Sequence, residues 1–131
     1  MLNKPRILLV DDEPSMIMVV SKRLELAGFD VTTAINGQEA LAKAHAGNPD
    51  LIVLDLMLPQ LNGYEVCTML KQDLQYKQIP IILLSAKSQE KDKRLGVECG
   101  ADAYLTKPYK AEILLEQIQA LLPTRPSPQN A

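Results

Sequence analysis

The sequence predicts an α/β fold, a parallel sheet with helices on both faces. Short, unbroken apolar runs recur along it, as in strands buried on both sides. Between them lie segments whose apolar residues are spaced three and four apart, each able to lay one stripe on a sheet. Gly28, Gly37, Gly47, Gly63 and Gly100 fall at the joins, where helices end or the backbone must turn through positive φ.

The first run, Ile7 to Val10, is followed by a helical stripe of Ile17, Val20, Leu24 and Ala27. Residues 29–34 alternate more than the other runs and predict a strand nearer an edge. Ala40, Leu41 and Ala44 mark a second helix, Leu51 to Leu54 a third strand, and Val66, Met69 and Leu70 a third helix. The fourth strand spans Ile79 to Leu84, with Pro80 inside its start. A segment carrying Lys87, Lys91, Lys93 and Arg94 then reads as a helix with a solvated charged face. Ala103 to Leu105 is a weaker strand, and Leu114, Leu115, Ile118, Leu121 and Leu122 mark a last helix that stops at Pro123, which cannot continue a helix interior. Strand then helix, five times over, predicts right-handed crossovers.

At 131 residues, 47% hydrophobic and 23% charged, the chain is one globular domain's worth. Residues 1–122 are expected to form it, with the three-proline stretch 123–131 as a flexible tail or the start of a linker. Fourteen Lys and Arg against sixteen Asp and Glu leave a net charge of -2, so no global positive field attracts nucleic acid or an anionic membrane. No apolar run approaches the roughly 18–20 residues of a membrane span. The run after Lys4 and Arg6 is too short for a signal-peptide core, and a cytoplasmic location is expected. Cys67 and Cys99 lie far apart without ligand spacing and read as packing thiols. His45 reads as a solvated side chain.

Ligands of open parallel sheets collect beyond the carboxyl ends of the strands. There the first run ends in Asp11-Asp12-Glu13, the third in Asp55, the fourth in Ser85 and the fifth in Thr106-Lys107-Pro108. Clustered carboxylates repel unless a cation sits among them, and oxygen donors without His or Cys point to a hard ion such as Mg²⁺, which favours phosphate oxygens. A carboxylate can itself be the nucleophile of phosphoryl transfer. Asp55, alone at the end of a central strand, is the candidate; Asp11 and Asp12 pair as metal ligands, while Lys107 and Ser85 neutralise phosphoryl oxygens.

At these residues the chain resembles the receiver domain of two-component response regulators, close to the chemotaxis-type single-domain proteins. The resemblance rests on Leu-Val-Asp-Asp-Glu-Pro at 9–14, Ala-Ile-Asn-Gly-Gln-Glu-Ala-Leu at 34–41 and Pro-Asp-Leu-Ile-Val-Leu-Asp-Leu-Met-Leu-Pro at 49–59. Asn62-Gly63-Tyr64-Glu65, Leu84-Ser85-Ala86 and the stretch from Gly100 to Pro108 complete it. It implies a flavodoxin-like doubly wound sheet of strand order 2-1-3-4-5. It implies phosphorylation of Asp55 by a sensor histidine kinase or phosphotransfer protein, with Mg²⁺ held by Asp12, Asp55 and the backbone carbonyl of Met57, and by Asp11 through water. Ser85 and Lys107 would bond phosphoryl oxygens, with Lys87 and Met57 flanking the pocket. Tyr104 would be the switch aromatic that reshapes the face of the fourth helix, fifth strand and fifth helix for a downstream target. The peptide bond before Pro108 is expected to be cis. Such a domain is not an enzyme on a free substrate; it assists only its own phosphorylation and dephosphorylation.

Ala103 replaces an acid, and Glu116, Gln117 and Gln119 replace arginines, of the charged dimer face found in winged-helix transcription factors, so that dimer is not implied. A phosphatase of the haloacid dehalogenase type fits poorly, since Asp11 and Glu13 match its acid pair only loosely. A phosphorylation-independent interaction module, or the receiver part of a larger transcription regulator or hybrid kinase, remain the alternatives.

Overall fold

The structure, a computed structural model, describes residues 4–86, 94 and 97–122. Five strands, β1 (Arg6–Val10), β2 (Asp30–Ala34), β3 (Leu51–Asp55), β4 (Ile81–Ser85) and β5 (Ala103–Thr106), form one parallel sheet in the order β2-β1-β3-β4-β5. Helices α1 (Pro14–Leu26), α2 (Gly37–Gly47), α3 (Gly63–Gln72) and α4 (Ala111–Leu121) cover it. Of the expected helix after β4 the described residues include Arg94, Val97 and Glu98, which are helical; the rest of it and the tail after Leu122 lie outside the described residues.

Alternation along each strand sorts the core into two layers. Leu8, Val10, Ile52, Leu54, Ile81 and Leu83 pack with Ala40, Ala44, Val66 and Leu70 of α2 and α3. Ile7, Leu9, Leu51, Val53, Ile82 and Leu84 face the other way, onto Val20 and Leu24 of α1 and Leu114 and Ile118 of α4. Strands β3 and β4 are buried along their whole length, which is why they are apolar without interruption. The alternating β2 is an edge strand, as its sequence predicts, and the half-buried β5 is the other.

β4 begins at Ile81, two residues later than its apolar run, because Pro80 has no N–H for the ladder; its carbonyl still accepts from Ile52 N at 2.9 Å. The left-handed residue closing α2 is Asn48 (φ 48°), while Gly47 is helical, contrary to the expectation that the glycine makes that turn. Two other glycines at joins serve close approach. A Cβ on Gly37 would stand 2.2 Å from the carbonyl oxygen of Leu61, and one on Gly63 would stand 2.2 Å from that of Asp55. No side chain fits at either place, so the loop between β3 and α3 is clamped between two helix starts.

Candidate functional site

Each strand of the sheet delivers its last residue, or the next, to one edge. Asp11 follows β1 and donates its N–H to Ala34 O at 3.1 Å; Asp55 ends β3 and Ser85 ends β4. Lys107 follows β5 and is held by its own N–H to Ser85 O at 2.6 Å. The Lys107–Pro108 peptide bond is cis, as the resemblance implies.

The side chains converge. Lys107 Nζ donates to Asp11 Oδ2 and to Asp55 Oδ2, each at 3.0 Å. The second oxygens are also occupied: Asp11 Oδ1 accepts from Glu13 N and Asp55 Oδ1 from Met57 N, both at 3.0 Å. Carboxylate oxygens of Asp11, Asp12 and Asp55 lie within 4.8 Å of one another. Asp11, Asp55 and Ser85 are the only buried polar or charged residues among those described, at 2%, 4% and 1% exposure. Asp12 is exposed, at the mouth of the cluster. Neither Asp11 nor Asp12 caps α1: its N-cap residue is Glu13, which makes no side-chain cap bond.

The two ends of the Lys107–Asp55 bridge respond oppositely to their surroundings. Burial raises the Asp55 pKa above the ordinary carboxylate value; the Met57 N–H and the Lys107 ammonium pull it back only in part. For Lys107 burial works downward, but its bonds to Asp11 and Asp55 outweigh it and the pKa is raised. The difference follows accessibility, since the Asp55 side chain is 6% exposed and that of Lys107 20%. Three acids against one lysine leave the cluster short of positive charge. It suits a cation with oxygen preference.

Met57 places its N–H at Asp55 and exposes its side chain. Tyr104 lies half-buried on β5, packed against the α2–α3 layer. His45 is exposed, as expected, and also stacks on Tyr76 with centroids 4.6 Å apart. Lys87, Lys91 and Lys93 fall outside the described residues, while Arg94 is exposed.

Two features escaped the sequence. Tyr109 is driven above its ordinary pKa by burial, while the charge of Lys107 acts in the opposite direction. With Met16, Val20, Ala86 and Pro108 it lines an apolar groove of about 670 Å³ that reaches Lys107. The clamp at Gly37 and Gly63 was legible only as two Asn-Gly pairs. In each the asparagine caps the following helix: Asn36 Oδ1 accepts from Glu39 N at 2.7 Å and Asn62 Oδ1 from Glu65 N at 2.9 Å.

This geometry coincides with a known family. The response regulator receiver domain profile matches residues 7–119. The chain belongs to the response regulator receiver family. This receiver is 50% identical over 117 residues to the alkaline phosphatase synthesis transcriptional regulatory protein PhoP of Bacillus subtilis, covering 89% of this chain and 48% of the relative. It is 47% identical to the DNA-binding dual master transcriptional regulator RpaA of Synechocystis sp., covering 90% of this chain and 49% of the relative. The receiver thus spans about half the length of the curated relatives it matches. Among solved structures it resembles the chemotaxis response regulator CheY4 of Vibrio cholerae (37% identity, TM-score 0.86, covering 92% of this chain and 100% of that one). It also resembles the BeF3-activated DrrB receiver domain (34% identity, TM-score 0.81, 91% and 97% covered). No helix among the described residues is long and apolar enough to cross a membrane.

Proposed function

We propose that this receiver is a switch set by phosphorylation of Asp55, with a sensor histidine kinase or a phosphotransfer protein as donor. The observation that carries it is the Lys107 ammonium held 3.0 Å from both Asp11 and Asp55, in a cluster whose three carboxylates are within 4.8 Å of one another. Phosphorylation turns the Asp55 carboxylate into an acyl phosphate with more negative charge in the same buried place, so cations such as the Lys107 ammonium must meet the new oxygens.

In the transfer, an Asp55 carboxylate oxygen forms a bond to phosphorus as the phosphorus–nitrogen bond of a phosphohistidine breaks, the imidazole leaving with the electron pair. Lys107 releases Asp55 Oδ2 and pairs with a phosphoryl oxygen; Ser85, one strand over, bonds another. Asp11, Asp12, Asp55 and the backbone carbonyl of Met57 are the groups that would hold Mg²⁺, and their donor set of hard oxygens fits it. Bound there, Mg²⁺ would supply positive charge to offset the charge that develops on the phosphoryl oxygens. Movement of Ser85 toward the phosphoryl group leaves room for Tyr104, half-buried on the next strand, to turn inward. That shifts a two-state packing equilibrium at the surface around β5 and α4, where a downstream protein binds. The domain turns over no free substrate, acts in the cytoplasm, and makes no direct contact with nucleic acid; its net charge of -2 is in keeping with the last.

The test is intact mass after incubation with acetyl phosphate and Mg²⁺, beside Asp55→Asn and an EDTA-treated sample. Gain of one phosphoryl group in the wild type alone is expected. A folded wild type that gains none would overturn the reading in favour of a phosphorylation-independent docking module. A second reading, favoured by the half-length match to transcription regulators, makes the downstream target a DNA-binding region of the same polypeptide. The size of the endogenous protein on an immunoblot distinguishes a covalently attached effector from a separate one.

A further inference from the structure

We propose that Cys67 and Cys99 form a redox-modification site, a dithiol that hydrogen peroxide converts to an intramolecular disulfide joining α3 to the segment that enters β5. The two are the only cysteines of the chain and stand 32 residues apart, yet the fold brings them together. Cys67 faces inward from α3 and is fully buried; Cys99 is 3% exposed. Cys67 Sγ lies 3.5 Å from the carbonyl oxygen of Cys99. Since that oxygen is about 2.4 Å from its own Cα, the sulfur stands against the partner's backbone. Bridged cysteines have Cα atoms about 4.4–6.8 Å apart, a span such a contact suits.

The surroundings favour one thiolate. Lys71, one turn beyond Cys67 on α3, reaches across to Asp102 at 2.9 Å, and its side chain lies where a Cβ on Gly100 would meet it at 3.3 Å. Its ammonium therefore sits beside the Cys99 segment. The hydrogen bond from Cys67 lowers the Cys99 pKa to about 7 against the effect of burial, with Lys71 adding to the fall, and the same bond pushes Cys67 up. Cys99 is the attacking sulfur and Cys67 the resolving one.

The Cys99 thiolate attacks one peroxide oxygen, the O–O bond breaks, and the departing hydroxide takes up a proton as water, leaving a sulfenic acid. Cys67 then attacks that sulfur; the S–O bond breaks and a second water leaves with the Cys67 proton. Two thiols lose two electrons and one peroxide gains them. Because both sulfurs are buried, a small oxidant suits the site better than a protein disulfide. The bridge closes a loop that contains β4 with Ser85, and it ends five residues before Tyr104.

The test counts alkylatable thiols in the unfolded protein after peroxide treatment, because the five methionines also take up oxygen and blur an intact mass. Two thiols before oxidation, none after it, two again after dithiothreitol, a monomer on a non-reducing gel and a linked Cys67–Cys99 peptide are expected. In Cys67→Ser the Cys99 product should be a sulfenic acid trapped by dimedone. Two thiols surviving excess peroxide in the wild type, irreversible sulfinic acid, or a disulfide between two chains would each overturn the proposal.

Discussion

Replacing Asp55 with Asn should make the metal-free protein more stable at neutral pH, although it removes half of a buried ion pair. At an effective dielectric constant of about 20, Asp55 gains about 5.5 kcal/mol from Lys107 at 3.0 Å and loses about 3.5 kcal/mol to Asp11, whose oxygen is within 4.8 Å. Asp12 adds a weaker, more screened repulsion. The remaining attraction, under about 2 kcal/mol, must meet a desolvation cost of several kcal/mol for a buried ion. The raised Asp55 pKa has the same sign, with burial ahead of all its partners. Asparagine keeps an acceptor for Met57 N–H and leaves Lys107 its bond to Asp11, so a gain of about 1–2 kcal/mol is expected, or about 3–8 °C in Tm for a domain this size. A carboxyl whose folded pKa is raised costs nothing well below 3.8, where it is protonated in both states; the cost grows as pH rises toward the folded value and is complete above it. The advantage of Asn should therefore be full at pH 7 and shrink on acidification. Thermal melts followed by circular dichroism in EDTA, at pH 7 and at stepwise lower pH, measure it. A variant melting at or below the wild type at pH 7 would refute the charge balance.

Lys107→Met should bind Mg²⁺ about tenfold more tightly by calorimetry, since a competing cation is gone from the carboxylates. Its rate of labelling by acetyl phosphate should nonetheless fall about 10²-fold or more, as for loss of a charge-stabilising donor. Gly63→Ala should cost about 2–3 kcal/mol in urea unfolding, because its Cβ would stand 2.2 Å from the Asp55 carbonyl oxygen; a loss under about 0.5 kcal/mol would show that the loop is not clamped. Asn62→Ala, which removes the Oδ1 acceptor of Glu65 N–H but leaves the residue 62 N–H its bond to Glu65 Oε1, should lower stability by about 1 kcal/mol by the same assay.

The layered fold was legible because its signals are local. Unbroken apolar runs mark β3 and β4 as central, alternation marks β2 as an edge, and stripes three and four apart mark the helices. The site was legible for the same reason: parallel connections return every strand to the same edge, so acids written after successive apolar runs must meet. The boundaries slipped where a single backbone group decides, at Pro80 without an N–H and at Asn48, which takes the left-handed turn beside a helical glycine.

The sequence by itself determined which residues meet: Asp11, Asp12, Asp55, Ser85 and Lys107 arrive together through strand periodicity alone. Only the tertiary structure decided how they stand electrically. Burial of Asp55 that its lysine offsets only in part, the sharing of Lys107 between two acids, and the approach of the Cys67 sulfur to the Cys99 backbone 32 residues away depend on distances across elements, which no local pattern encodes.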